Sequence, residues 1–516
     1  MLFNSVVFIF GFFPIVVFVF FRVARSNRLL AAGWLVFASL FFYGWWNPRY
    51  VLLLLASVVF NYASGFFLAR LVRAGRPALT RSLVAFAIAA NLALLGYYKY
   101  ANFFLQVSAD LSGHTLDVGR ILLPLGISFF TFTQIAFLVD VYRGFAREYN
   151  FVHYCLFVTY FPHLIAGPVL HHKEMMPQFQ QAQTYRLNWE DVAVGLTIFF
   201  IGLFKKTVIA DGVAPFAGPL FATPGQPDLF AAWGGALAYT FQLYFDFSGY
   251  SDMAIGLSRV FGIKLPLNFD SPYKAVNMIE FWRRWHMTLS RFLRDYLYFS
   301  LGGNRKGPIR RHVNLIATML LGGLWHGAGW TFVAWGGLHG LYLVANHLWR
   351  ALRQRLGQDL ERSTRWGRVA ARPVTFIAIV VGWVFFRAAD FEDATAILRG
   401  MAGMNGITVP AIFATQFPWM RGAFENWGAA FALGGGSRFV AQYTWIIVLL
   451  PLTLFAPNTQ EILARFQPAL DFHGSALPAT RLVWRPSSRW AMLVSLMVAG
   501  GLLSLSRVSE FLYYQF

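Results

Sequence analysis

His326 is the residue best placed to do chemistry. It sits in Gly322-Gly323-Leu324-Trp325-His326-Gly327-Ala328-Gly329-Trp330, within a long apolar stretch. Its neighbours are neutral, aromatic or small. An imidazole at membrane depth is costly, which marks it as a functional-site candidate by default. Histidine is also the side chain whose ordinary pKa suits proton transfer near neutral pH. The competing reading is a histidine that only packs one helix against another.

Other polar residues concentrate between about 240 and 340. Asp246 and Asp252 lie in Tyr244-Phe245-Asp246-Phe247-Ser248-Gly249-Tyr250-Ser251-Asp252. They read equally as helix caps or as groups orienting polar atoms in a funnel. Glu280-Phe281-Trp282-Arg283-Arg284-Trp285-His286 opens a helix-like run that continues through Ser290, Arg291, Arg294 and Asp295. Gly302-Gly303-Asn304-Arg305 then signals a helix stop. Arg283 and Arg284, with Lys306, suit an anionic ligand. With Glu280 they also read as a salt-bridged interfacial helix. His286, between Trp282 and Trp285, fits an aromatic belt at the membrane surface. His163, His171 and His172 read as loop residues.

Spacing restricts the chemistry. A helix rising from the basic cluster Arg305, Lys306, Arg310, Arg311 and His312 reaches His326 after about 20 Å. That is inside a hydrocarbon core about 30 Å thick. The glycines after His326 predict a broken helix, and its freed N–H groups can serve an oxyanion. His339 lies about 20 Å further along if the helix continues. A metal shared by the two histidines therefore requires the chain to fold back. HExxH, CxxC and GxSxG are absent, which argues against metallopeptidase and serine hydrolase chemistry.

The elements that must position these residues are membrane helices. The 516-residue chain is 57% hydrophobic and 13% charged, with mean hydropathy +0.51. Soluble domains carry nearer a quarter charged residues. Apolar segments fall near 2–21, 30–45, 50–69, 83–98, 121–139, 151–170, 193–210, 229–248, 313–348, 374–388, 441–457 and 490–505. About 11–13 spanning or re-entrant helices follow. We expect a single integral membrane unit over 1–516, with its core at about 240–345 and C-terminal membrane segments over about 374–516. The first segment is too long for a signal h-region and lacks a basic n-region, so it reads as a membrane helix. The net charge of +20 is mostly arginine in short loops. Arg22, Arg25 and Arg28, then Arg70, Arg73, Arg76 and Arg81, then Arg143 and Arg147 place alternate loops in the cytoplasm and the N-terminus outside. No nucleic-acid role is needed to explain the charge. The block from Arg350 through Arg362 to Arg372 reads as a cytoplasmic amphipathic segment. Residues 403–440 read as a loop with interfacial aromatics. Cys155 is the one cysteine, which excludes an internal disulfide, and buried packing is its expected role. Internal repeat symmetry of the transporter kind is not visible.

At this point the chain resembles the membrane-bound O-acyltransferase family, in its bacterial polysaccharide-acetylating branch. The matching stretches are Gly96 to Phe103, Leu123 to Phe129, Phe161 to Pro168, Tyr244 to Gly256, Glu280 to Arg305, Leu321 to Gly340, Trp383 to Ala388 and Phe511 to Phe516. Residues 400–485 match least. The resemblance implies an all-α polytopic bundle around a central funnel, in a bacterial inner membrane. It implies an O-acetyltransferase acting for an exported polysaccharide such as alginate, with cellulose or another surface glycan as the alternative. His326 corresponds to the family's hallmark histidine, and the region of His286 to a second functional position. The implied donor is acetyl-CoA or another acyl-CoA, as a substrate with no bound cofactor and no metal. The implied partners are an SGNH-hydrolase-like acetyltransferase, periplasmic or membrane-anchored, and the polysaccharide synthesis and export machinery.

On this reading His326 is the general base and His286 orients the donor or His326. Arg283, Arg284 and Lys306 bind the donor's phosphates, while Asp246, Asp252 and Trp325 line the funnel. The rival class is a non-enzymatic transporter or scaffold of an export complex. Many spans and broken helices fit that too, but clustered polar groups without repeat symmetry count against it.

Overall fold

The computed structural model describes residues 1–114, 121–146, 150–223, 225–360, 364–470, 472, 482–506 and 512. Arg147, Arg362 and most of the 511–516 stretch lie outside the described residues. The long helices, in chain order, are α1 (Val7–Ala24), α2 (Arg28–Gly44), α3 (Arg49–Arg73), α4 (Pro77–Ser112), α5 (Ile127–Tyr142), α6 (Trp189–Ala222), α7 (Leu229–Val260), α8 (Gly307–His326), α9 (Trp330–Arg355), α10 (Arg365–Arg387), α11 (Gly436–Phe455) and α12 (Ser488–Ser506). Seven of these stretches are long and apolar enough to cross a membrane: α1, α3, α4, α6, α10, α11 and α12. Helices α2 and α5 are apolar but shorter, at 17 and 16 residues. Helices α7, α8 and α9 have the length, at 32, 20 and 26 residues, but are more polar. They are the helices that carry Asp246, Asp252, His326 and His339.

Local chemistry sets the boundaries. Asn27 accepts the Leu29 and Leu30 N–H groups at 2.9 and 3.1 Å and starts α2. Asp228 does the same for Phe230 and Ala231 at 2.9 and 3.0 Å and starts α7. Such side-chain acceptors satisfy donors that a helix start leaves open. Two expected segments divide. Residues 151–170 form two short helices, Phe151–Thr159 and Phe161–Leu164. They break at Tyr160, because Pro162 has no N–H to continue the ladder. Residues 313–348 divide between α8 and α9.

The basic block after Arg350 is not one amphipathic helix. It comprises the last turns of α9, a turn at Gly357 with φ +71°, and the first turns of α10. The 403–440 stretch also holds more structure than a loop. Strands β1 (Ile407–Pro410) and β2 (Ala429–Ala432) pair in parallel, with Ile407 opposite Ala429. Two short helices, Ala411–Gln416 and Pro418–Asn426, connect them. Its aromatics Trp419 and Trp427 are exposed, as expected.

Helix α7 is the buried axis, with every residue from Ala238 to Val260 in the interior. It meets α6 through two pairs of glycines. A Cβ on Gly195 would lie 2.6 Å from the Gly256 carbonyl oxygen, and one on Gly202 would lie 2.6 Å from that of Gly249. Small residues let two membrane helices touch backbone to backbone.

Candidate active site

The glycines after His326 end α8, as the sequence predicts, and the chain folds straight back. Gly327 and Gly329 are extended, and α9 starts at Trp330. The two helices pack closely through Gly323, Gly336 and Gly340. A Cβ on Gly323 would meet the Phe332 carbonyl at 2.2 Å, and one on Gly336 the Met319 carbonyl at 2.2 Å. The reversal brings His339 back beside His326, so the separation expected from one continuous helix does not hold. The Trp335 ring lies between them, 5.2 Å from His326 and 4.9 Å from His339 by ring centroids. Among the described residues no three His, Cys, Asp or Glu side chains gather to hold a metal ion.

His286 joins this site from a different element. The run opened by Glu280 is interrupted there, between the short helices Met278–Arg284 and Met287–Phe292. His286 is not at a membrane surface: it is fully buried, and its ring lies 6.3 Å from that of His326. Its φ of +42° is a left-handed conformation that non-glycine residues adopt at a cost of roughly 1–2 kcal/mol. Asn268 holds it there. The Asn268 carbonyl accepts the Met287 N–H at 3.0 Å. Its side-chain oxygen lies 3.0 Å from His286 Nδ1 and also accepts the Thr288 hydroxyl at 3.0 Å. An acceptor facing Nδ1 assigns the proton to that nitrogen and leaves the lone pair on Nε2. Strained residues held by their surroundings cluster at active sites.

Lys99, within the stretch Gly96 to Phe103, also reaches this candidate site, although it was not among the expected site residues. It lies in a π-helical turn, Gly96–Tyr100, inside α4. Its Nζ donates to the Trp325 carbonyl and to the His326 carbonyl at 3.2 Å. The signal was available, because a lysine inside an apolar helix is as unusual as a histidine there. Lys99, Ser128, Trp325 and His326 line a cavity of about 200 Å³, with Trp46, Leu123 and Pro124 also on its wall. Trp325 stacks on Phe132 at 5.3 Å. Helix α3 runs 25 residues, about 37 Å, from Arg49 to Arg73. The Trp46 end of the cavity therefore lies at the end of the bundle opposite the Arg70–Arg81 loop.

The remaining expected residues have defined places. Asp246 and Asp252 are not caps, since both lie in the middle of α7. Lys206 pairs with Asp246 at 2.6 Å and with Asp211 at 2.7 Å. Asp252 pairs with Lys205 at 2.8 Å and accepts from Thr459 at 2.6 Å and Gln460 at 3.0 Å. Arg284 is bound to Glu280 at 2.9 Å and to the Asp270 carbonyl at 3.1 Å, the salt-bridged alternative. Arg283 and Lys306 are exposed. Of the N–H groups in the glycine break, those of Gly327 and Gly329 bond to the Gly323 and Gly327 carbonyls, so the break does not release them all. His163, His171 and His172 are buried rather than in exposed loops. His163 contacts the Phe157 carbonyl at 2.9 Å and His171 the Tyr296 hydroxyl at 3.0 Å. Cys155 is buried.

Two imidazoles 6.3 Å apart by ring centroids, both buried among aromatic rings and one on the wall of a small cavity, have the chemistry to move a proton. A polytopic bundle built around such a pair is the architecture of a membrane enzyme. The membrane-bound O-acyltransferase family model matches residues 83–386, more than half of the chain, and the chain belongs to that family. It is a multi-pass membrane O-acyltransferase. Among curated proteins, it is 44% identical over 437 residues to a peptidoglycan O-acetyltransferase of Helicobacter pylori, covering 79% of this chain and 81% of that one. It is 40% identical over 528 residues to a probable alginate O-acetylase of Azotobacter vinelandii, with both chains covered in full. A teichoic acid D-alanyltransferase of Streptococcus thermophilus is 29% identical over 283 residues, covering 51% of this chain and 68% of that one.

Proposed function

We propose that this protein takes an acetyl group from cytoplasmic acetyl-CoA and passes it across a bacterial inner membrane for O-acetylation of an exported glycan, with alginate the favoured acceptor class. The observation that carries the reading is the buried pair His326 and His286, 6.3 Å apart by ring centroids, with His326 on the cavity wall. The full-length similarity to a probable alginate O-acetylase supports the acceptor class. A second acceptor, peptidoglycan, is favoured by the 44% identity to the Helicobacter pylori enzyme.

In the proposed step His326 takes the proton of the acceptor hydroxyl. The alkoxide oxygen bonds to the thioester carbonyl carbon, and the tetrahedral oxyanion collapses. The carbon–sulfur bond breaks and the CoA thiolate regains the proton from His326. The thioester is already activated, so the protein supplies a base, alignment and a dry path. His286, fixed by Asn268, orients His326 or the donor. Arg283 and Lys306, at the basic end, bind the donor's phosphates. The positive-inside assignment puts Arg22–Arg28 and Arg70–Arg81 in the cytoplasm, so the cavity faces the opposite side, where acceptors are. An SGNH-hydrolase-like partner then carries the acetyl group to the glycan.

The test is transfer of label from acetyl-CoA in inverted membrane vesicles. Wild type is expected to label lumenal protein or glycan. His326→Ala is expected to lose at least about 100-fold while accumulating normally. Equal labelling by the two proteins would sink the assignment. Ester-linked acetate on the glycan fractions of a deletion strain distinguishes alginate from peptidoglycan.

A further inference from the structure

We propose that Lys99 is a positioning residue for the transfer reaction: its ammonium holds the carbonyl end of α8 and so fixes the His326 ring against the cavity. The proposal rests on the reading of His326 as the base, and its observations are separate from those behind that reading.

Helix α8 stops at His326, so the carbonyls of its last turn have no partner within the helix. The chain turns back at once, and one turn of α4 supplies donors to them. Lys99 Nζ donates to the Trp325 and His326 carbonyls and reaches Ser128 Oγ at 3.5 Å. The adjacent Tyr100 hydroxyl donates to the Leu324 carbonyl at 3.0 Å. Three successive carbonyls are thus satisfied by two successive side chains. The π-helical turn Gly96–Tyr100 accounts for this, because its extra residue per turn re-aims side chains that a regular helix would send elsewhere.

Charge strengthens the argument. Among the described residues no carboxylate pairs with Lys99, whose partners are carbonyls, a hydroxyl and the Trp325 ring, 5.6 Å from Nζ. A cation in an apolar interior is expensive unless something repays it. The negative end of the α8 dipole does so. Lys206 and Lys205, also inside a long apolar helix, are instead neutralised by aspartates. A lysine kept for packing alone would be replaceable by methionine. Here the ammonium bonds the peptide of the base itself, so its loss frees the His326 carbonyl to turn toward the cavity and carry the ring with it. A displacement of about 1 Å at a reacting group can cost about 100-fold in rate.

The experiment measures initial rates of label transfer from acetyl-CoA in inverted vesicles, at several donor concentrations, with protein quantified by its monodisperse yield in detergent. Lys99→Met is expected to lower kcat about 100-fold with donor KM unchanged within about twofold. Lys99→Arg, which keeps charge and donors, is expected to recover about tenfold of that loss. A wild-type kcat in Lys99→Met overturns the proposal, as does a loss confined to KM or an arginine variant no better than methionine. If Lys99→Met does not accumulate, Tyr100→Phe decides. That variant removes one bond to the same helix end without changing charge, so a kcat about threefold to tenfold lower at constant KM supports the proposal and a wild-type kcat overturns it. His326→Ala is measured alongside. If it is inactive while Lys99→Met is normal, only the Lys99 proposal falls. If His326→Ala is active, the base assignment falls and the positioning role with it.

Discussion

At the scale of single residues, the proposed site depends on how its two imidazoles are held as well as on their presence. His286 occupies a left-handed backbone conformation and has its Nδ1 against Asn268 Oδ1 at 3.0 Å. That acceptor fixes the tautomer of the ring and helps to hold its orientation. Losing a hydrogen bond to a buried group costs roughly 1–3 kcal/mol, equivalent to about tenfold to a hundredfold in rate. Asn268→Ala is therefore expected to slow acetyl transfer by that factor, measured as kcat in vesicles with the same protein yield. An unchanged rate would mean that His286 needs no such support. His326 was legible in the sequence from its apolar surroundings, whereas His286 read there as a membrane-surface residue and only the family resemblance gave it a role. Lys99 was legible by the same rule and was passed over. Asn268 was not legible, because an amide in a connecting segment carries no spacing signal until the fold sets it beside His286.

At the scale of elements, close contact between helices decides which charges meet. The π-helical turn Lys205–Ala210 lets consecutive lysines both reach α7. Lys206 and Asp246 are each 2% exposed, and they bind at the contact that the glycine pairs make possible. Removing one partner of a buried ion pair costs about 3–5 kcal/mol. Lys206→Met should thus lower the temperature at which the protein loses its monodisperse peak in detergent, and wild-type heat resistance would contradict a bracing role. Overpacking is a second route to the same instability. Gly202→Val would place methyl groups against the Gly249 carbonyl and is expected to cost at least about 1–3 kcal/mol, read by the same heating assay. A control such as Gly11→Ala, where nothing lies within 4 Å, should change little. The acids were visible in the sequence, but their reading as caps failed because α7 runs through them without interruption.

At the scale of the whole molecule, the arrangement of ends supports a direction for the proposed transfer. The arginine-rich loops lie at one end of the bundle, and Trp46, Leu123 and Pro124 mark the cavity at the other. Filling that cavity should separate the two half-reactions. Leu125 also lines the cavity, and Leu125→Trp is expected to reduce label transfer by roughly tenfold or more while acetyl-CoA binding to purified protein persists, since a bulky ring blocks alignment of an acceptor without touching the basic end. Parallel loss of binding and transfer would show that donor and acceptor share this cavity. The described part of the C-terminal stretch joins the same architecture, because the Leu512 N–H donates to Asp246 at 3.2 Å beside the Lys206 pair.

The sequence alone determined the class of the molecule. Apolar runs of membrane length, arginines concentrated between those runs and a histidine among glycines follow from one-dimensional spacing, and the glycines also announced the break after His326. Only the tertiary structure decided which distant residues share the site. The fold-back of α9, the approach of α4 through its π-helical turn and the placement of His286 beside Asn268 all depend on contacts made only in three dimensions. Glycines let α8 and α9 meet backbone to backbone, and a single sequence shows where such residues are but not which of them will meet.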